Sequence, residues 1–125
     1  MSKLGCQCGE VICDNTDDLP YKGYLFADDE FFSLFEPISR DVASYIAARL
    51  AGTERKWLED YFGSDAEKSD VDLVHTIVAR YLIHPPMTVY QCEKCGRVHI
   101  QHRDQSNFFE CFKPEASRYR VIFLK

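Results

Sequence analysis

The chain has 125 residues, 46% apolar and 14% aromatic, which suits one folded domain with its own core and excludes a disordered polymer. No apolar run reaches the ~18–20 residues that span a bilayer, and the first residues lack a signal peptide's apolar centre, so the cytoplasm is expected. The formal charge of −5 is uneven: residues 1–90 hold eight Lys and Arg against sixteen Asp and Glu, and residues 91–125 hold seven against four, which excludes a general attraction to nucleic acid.

Cys6-Gln7-Cys8-Gly9 opens the chain as a tight knuckle, and Glu10-Val11-Ile12-Cys13 follows as a strand. Asp14 to Asp18 is a solvated acidic loop whose spacing does not match a calcium-binding loop. Tyr21 to Ala27 is short and aromatic, and predicts a second strand. From Asp28 the period becomes helical, with Phe31, Phe35, Ile38, Val42, Tyr45, Ile46 and Leu50 recurring along one face. Pro37 divides this segment and starts a second helix at its first turn, where a missing N–H costs nothing. Thr53 to Phe62 predicts a short helix ended by Gly63. Ser69-Asp70-Val71-Asp72 resembles a capping box and opens another helix, which His84-Pro85-Pro86 stops.

Beyond the prolines the pattern alternates. Met87 to Gln91 and Arg97 to His102 read as strands flanking a second knuckle, Cys92-Glu93-Lys94-Cys95-Gly96. Asn107 to Phe112 and Tyr119 to Leu124 complete an expected antiparallel sheet. The fold class is therefore α+β: an antiparallel sheet around a four-cysteine site, with a helical insertion between the two knuckles. As one domain of residues 1–125, it consists of a β part from 1–27 and 87–125 and a helical part from 28–86.

The knuckles carry the chemistry. Independent thiols have no reason to recur in paired, Gly-followed spacing, and in a reducing compartment such pairs point to metal rather than disulfides. Cys6, Cys8, Cys92 and Cys95 are the expected ligands of one structural Zn2+, because zinc favours four soft thiolates in a tetrahedron. The two knuckles resemble a zinc ribbon over residues 6–13 and 87–124. Cys6 to Gly9, Asp14 to Gly23 and Tyr90 to Arg97 together look like a group of small bacterial proteins of unknown function. That resemblance supports the zinc reading and implies no catalytic residues.

The other chemical residues carry less. Cys13 and Cys111 read as buried free cysteines, although either could replace one primary ligand, with Cys13 standing in for Cys6 or Cys8. His75, His84, His99 and His102 read as surface or partly buried, and strand alternation sends His99 and His102 to opposite faces. A catalytic zinc would need an open position, and the chain has no nucleophile elbow, phosphate loop or dinucleotide fingerprint. A non-enzymatic role is expected: a protein-interaction module whose acidic helical surface meets a protein partner, such as a bacterial immunity protein neutralising a cationic toxin. Nucleic-acid binding through Arg97, Arg103, Arg118, Arg120 and Lys125 is the alternative. Arg118 and Arg120 would share one strand face, and Arg97 and His99 another. No membrane partner is expected.

Overall fold

A computed structural model describes residues 2–63, 69–82, 87–116 and 122–123. It is α+β and divides into two compact units, a sheet unit of residues 1–26 and 85–125 and a helical unit of residues 27–84. The helix stop expected at residues 84–86 lies outside the described residues. So does the strand expected over 119–124, except Ile122 and Phe123.

In the sheet unit, β1 (Ser2–Gly5) and β2 (Val11–Asp14) form an antiparallel hairpin pairing Ser2 with Asp14 and Gly5 with Val11. The strand before the first knuckle was not legible from Ser2-Lys3-Leu4, which is too short and polar to alternate. β3 (Lys22–Leu25), β4 (Met87–Gln91), β5 (Val98–His102) and β6 (Gln105–Phe112) form a second antiparallel sheet in that order. The single expected sheet is thus two, because the first knuckle is the tip of a hairpin of its own. Each knuckle joins two strands: residues 6–10 link β1 to β2, and residues 92–97 link β4 to β5.

Cys6, Ile12, Tyr90 and Cys92 form the core of this unit, with Leu4, Tyr21 and Phe109 packed around them. Asp14 on β2 ties the two sheets together. Its carboxylate accepts from the Lys22 ammonium at 2.7 Å and from the Tyr90 hydroxyl. Tyr21 adds a second tie, its hydroxyl donating to the Cys13 carbonyl at 2.6 Å.

The helical unit contains α1 (Asp28–Ser33), α2 (Phe35–Leu50), α3 (Glu54–Phe62) and α4 (Asp70–Leu82). Asp28, Asp29 and Glu30 fill the first turn of α1, where carboxylates complement the unpaired N–H groups. Pro37 falls in the first turn of α2, and the break comes earlier, at Leu34. The missing N–H lies among donors that lack an intrahelical partner in any case. Ser69 caps α4, its hydroxyl oxygen accepting from the Asp72 N–H at 3.2 Å.

Tyr45, Leu73 and Ile77 are buried at the centre of this unit, and Val42, Trp57, Leu58, Tyr61 and Phe62 close around them. Trp57 stacks on Tyr61 with ring centroids 4.6 Å apart and donates its Nε1–H to Ser44 Oγ at 2.8 Å. Asp41 on α2 receives hydroxyls from two other helices, Tyr61 at 2.5 Å and Tyr81 at 2.6 Å. Burial opposes ionisation of Asp41, but the two hydroxyls, with the charges of Arg80 and Arg40, outweigh it and hold the carboxyl below its usual range.

A carboxylate held below its unfolded value of ~3.9 contributes stability above that pH, which is lost as pH falls through the folded value. The contribution of Asp41 to the urea midpoint should therefore be constant near neutrality and disappear below about pH 4. In Asp41→Asn the neutral-pH plateau should be lower and the acid fall shallower. An unchanged acid limb in that variant would remove Asp41 as its source.

Candidate metal centre

The local backbone prepares both knuckles. In the first, the Cys6 N–H donates to Glu10 O at 2.8 Å and the Gly9 N–H to Cys6 O at 2.9 Å. In the second, the Cys92 N–H donates to Arg97 O and the Gly96 N–H to Cys92 O, both at 2.8 Å. The two loops share one design, and the first is shorter by the one residue that separates Cys-x-Cys from Cys-x-x-Cys. Gly9 at φ 91° and Gly96 at φ 76° both lie in the left-handed region. A side chain there meets its own backbone, at a cost of roughly 1–2 kcal/mol. Gly96→Ala should therefore lower stability by about that amount and weaken metal affinity, read together as a shift in melting temperature and in chelator sensitivity.

The hairpin tips meet. Cys6 Sγ lies 3.6 Å from Cys95 Sγ, and Cys8 Sγ lies 3.6 Å from Cys92 Sγ. All four ligand atoms fall within 4.8 Å of one another. The pairs cross between the knuckles, so neither knuckle makes a site without the other. At 3.6 Å the sulfurs are well outside disulfide bonding distance, and all six cysteines are free. The two 3.6 Å edges match those of a regular tetrahedron whose centre is ~2.2 Å from each corner, the span of a metal–thiolate bond, and the other edges are within 4.8 Å. The four cysteines together could hold one metal ion.

The electrostatics fit the same reading. Burial pushes the Cys6 thiol up to about 12 and raises Cys92 as well. Burial would also raise Cys95, but the backbone and side chain of Arg97 and hydrogen bonds from Cys6 and Cys8 outweigh it and hold the thiol at about 6. One thiolate therefore forms readily, while burial, with hydrogen bonds from the neighbouring cysteines, holds Cys6 and Cys92 protonated. A bound cation reverses that order by compensating several thiolates at once.

Residues around the ligands hold them in place. Gln91, almost fully buried, donates its Nε2–H to Gly96 O at 3.3 Å, and its Oε1 accepts from the Ile122 and Phe123 N–H groups. It thereby fastens the second knuckle to described residues near the C-terminus. Lys94 on one knuckle faces Glu10 on the other at 3.8 Å, an exposed ion pair worth little. Neither role was legible in the sequence, because Gln91 acts through partners about thirty residues away.

The remaining candidates divide. Arg97 is half-buried and directed at the Cys95 sulfur. Arg103 is exposed at the turn between β5 and β6, whereas Arg118, Arg120 and Lys125 lie outside the described residues. His99 corrects the expectation of a surface or partly buried histidine: it is 3% exposed, with Nε2 4.0 Å from Cys111 Sγ. Burial, reinforced by the Arg97 charge, lowers its pKa and favours the neutral ring. The strand side bearing His99 is therefore turned inward. His102 is on the other side, 3.7 Å from Glu110, and His75 is exposed; His84 is outside the described residues. Cys13 and Cys111 are half-buried rather than buried, and neither belongs to the four-sulfur cluster.

Among the described residues, no helix is long and apolar enough to cross a membrane. No curated protein and no solved structure matches the chain. The family match is to a domain of unknown function rather than a zinc ribbon, so the ribbon likeness extends to the cysteine arrangement alone. With residues 2–116 covered by its model, the chain belongs to the family described as domain of unknown function (DUF8617).

Proposed function

We propose that the four cysteines bind Zn2+ as a closed structural centre in a non-enzymatic protein-interaction module. The observation that carries the zinc reading is the crossed set of four sulfurs within 4.8 Å, contributed by two hairpin tips. Four thiolates fill the tetrahedron of a redox-inert ion and leave no position for a substrate, so the ion contributes folding energy rather than chemistry. A reducing compartment, the cytoplasm, keeps the thiols available for it.

Substitution with Co2+ tests the ligand set, because the tetrahedral thiolate complex has intense visible and charge-transfer bands. Those bands should appear at one equivalent and disappear in Cys95→Ser. Octahedral, weakly absorbing Co2+ would overturn the proposal.

The interaction reading rests on charge. Residues 27–84 hold twelve Asp and Glu against six Lys and Arg, a field that speeds encounter with a cationic protein. A bacterial immunity-type protein facing a basic toxin is the version this surface fits best. The competing reading, nucleic-acid binding by the basic C-terminal segment, is weakened by Arg97, whose side chain is engaged with Cys95. Gel shifts with generic DNA and RNA at low salt separate the two. Binding that weakens steeply with salt would favour nucleic acid.

A further inference from the structure

The four clustered sulfurs are unequal in a way that purely structural ligands need not be. Cys6 is 7% exposed and Cys92 0%, whereas Cys8 and Cys95 are only half-buried. Each knuckle thus supplies one sheltered sulfur and one that solvent reaches. The crossing then pairs unlike with unlike. The accessible Cys95 lies 3.6 Å from the sheltered Cys6, and the accessible Cys8 lies 3.6 Å from the sheltered Cys92. This is the layout of two redox pairs: an oxidant meets one sulfur, and a second, protected from it, completes a disulfide.

We propose that the cluster is a peroxide-responsive zinc-release switch, in which oxidation joins Cys6 to Cys95 and Cys8 to Cys92, frees the ion and leaves the two hairpin tips locked together. The switch rests on the zinc reading above and adds to it a reaction and its products. At each accessible cysteine the thiolate attacks hydrogen peroxide. An S–O bond forms as the O–O bond breaks, leaving a sulfenic acid and one hydroxide. The sheltered thiolate 3.6 Å away then attacks that sulfur, an S–S bond forms, and a second hydroxide leaves. Each pair gives two electrons to one peroxide, and its two hydroxides take up two protons as water. Two peroxides therefore convert four thiolates to two disulfides and release one Zn2+, unchanged in oxidation state, because a disulfide sulfur lacks the charge that held it.

Geometry favours the crossed bonds over a bond within a knuckle. The gap to close in each crossed pair is about 1.5 Å. Cys6 and Cys8 are separated by one residue, and a bond between them closes a small, strained ring. A bond from Cys92 to Cys95 would therefore strand Cys6 and Cys8 as thiols, whereas crossed bonds use all four sulfurs. The crossed partners are also 89 and 84 residues apart, so each bond closes a long loop, the kind that restricts an unfolded chain most. Zinc and disulfides exclude one another, yet both hold the same two tips. Stripping zinc with a chelator and expelling it with peroxide should thus have opposite consequences for the sheet unit.

Peroxide titration of the full, zinc-loaded chain tests the switch, with zinc content measured first. Free zinc, read with a metallochromic indicator, should rise to one equivalent at about two equivalents of hydrogen peroxide. Trypsin cuts at Lys94, between Cys92 and Cys95, so tandem mass spectrometry of unreduced peptides distinguishes the pairings. It should recover Cys6 linked to Cys95 and Cys8 linked to Cys92, and a dithiol with added zinc should restore the starting state. Hydrogen exchange should keep residues 87–112 protected after peroxide and show protection lost there after a chelator under reducing conditions. Cys13→Ser/Cys111→Ser removes the two thiols outside the cluster and should respond as the wild type does. A chain without zinc at the outset fails at the zinc reading and takes the switch with it. A chain that holds zinc but yields Cys92 linked to Cys95, sulfinic acids without disulfides, or an unprotected sheet after peroxide overturns the switch alone. So does a Cys13→Ser/Cys111→Ser chain that keeps its zinc under peroxide.

Discussion

Cys92→Ser should give a protein that retains no metal at the cysteine cluster and whose sheet unit no longer folds. Cys92 is fully buried, sits in the core with Cys6, Ile12 and Tyr90, and supplies one edge of the sulfur tetrahedron with Cys8. Structural zinc sites contribute apparent binding energies of about 10–16 kcal/mol, and whole domains are stable by only about 5–15 kcal/mol. Loss of the ion therefore exceeds what so small a core can compensate. Asp14, Lys22 and Tyr90 would still favour contact between the two sheets, but one ion pair and one hydroxyl contribute only about 1–3 kcal/mol together. Hydrogen exchange resolved by segment is the appropriate measurement. Protection should disappear from residues 87–112 and persist in α2 and α4. Undiminished protection in both units would mean that the cluster is not structural.

Ile77→Ala should be the most damaging single change in the helical unit. Ile77 is 0% exposed and packs with Leu73 and Tyr45, so truncation leaves a cavity among helices that cannot close it. The expected loss is about 2–5 kcal/mol by urea denaturation, against about 0.5–1.5 kcal/mol for Ile77→Val. Val71 on the same helix is 79% exposed, and Val71→Ala should change the midpoint little. The metal content of Ile77→Ala should remain at the wild-type value, because the ligands are all in the other unit. Equal losses from Ile77→Ala and Val71→Ala would contradict this account of the core.

The parts of the fold legible in the sequence were those set by local rules. The period of Val42, Tyr45 and Ile46 marked α2, Gly63 ended α3 in a left-handed conformation, and Ser69 began α4. The knuckles were legible because ligand spacing and a following glycine are themselves local constraints. What escaped was long-range. Tyr90 meets Asp14 across 76 residues, and Asp41 gathers Tyr61 and Tyr81 from two helices. No periodicity encodes either contact. His99 was misjudged for a related reason: its enclosure between the cross-strand neighbours Tyr90 on β4 and Cys111 on β6 is a property of the assembled sheet. Ser2 to Gly5 gained strand structure only through its partner Val11–Asp14.

The central claim is that two hairpin tips form one four-thiolate zinc site. Native mass spectrometry of the freshly purified, reduced chain measures it most directly. The account predicts one zinc ion per chain in the wild type, displaced by a strong chelator with loss of sheet structure, and none in Cys6→Ser or Cys92→Ser. A metal-free wild type with its fold intact, or zinc that survives both substitutions, would contradict it.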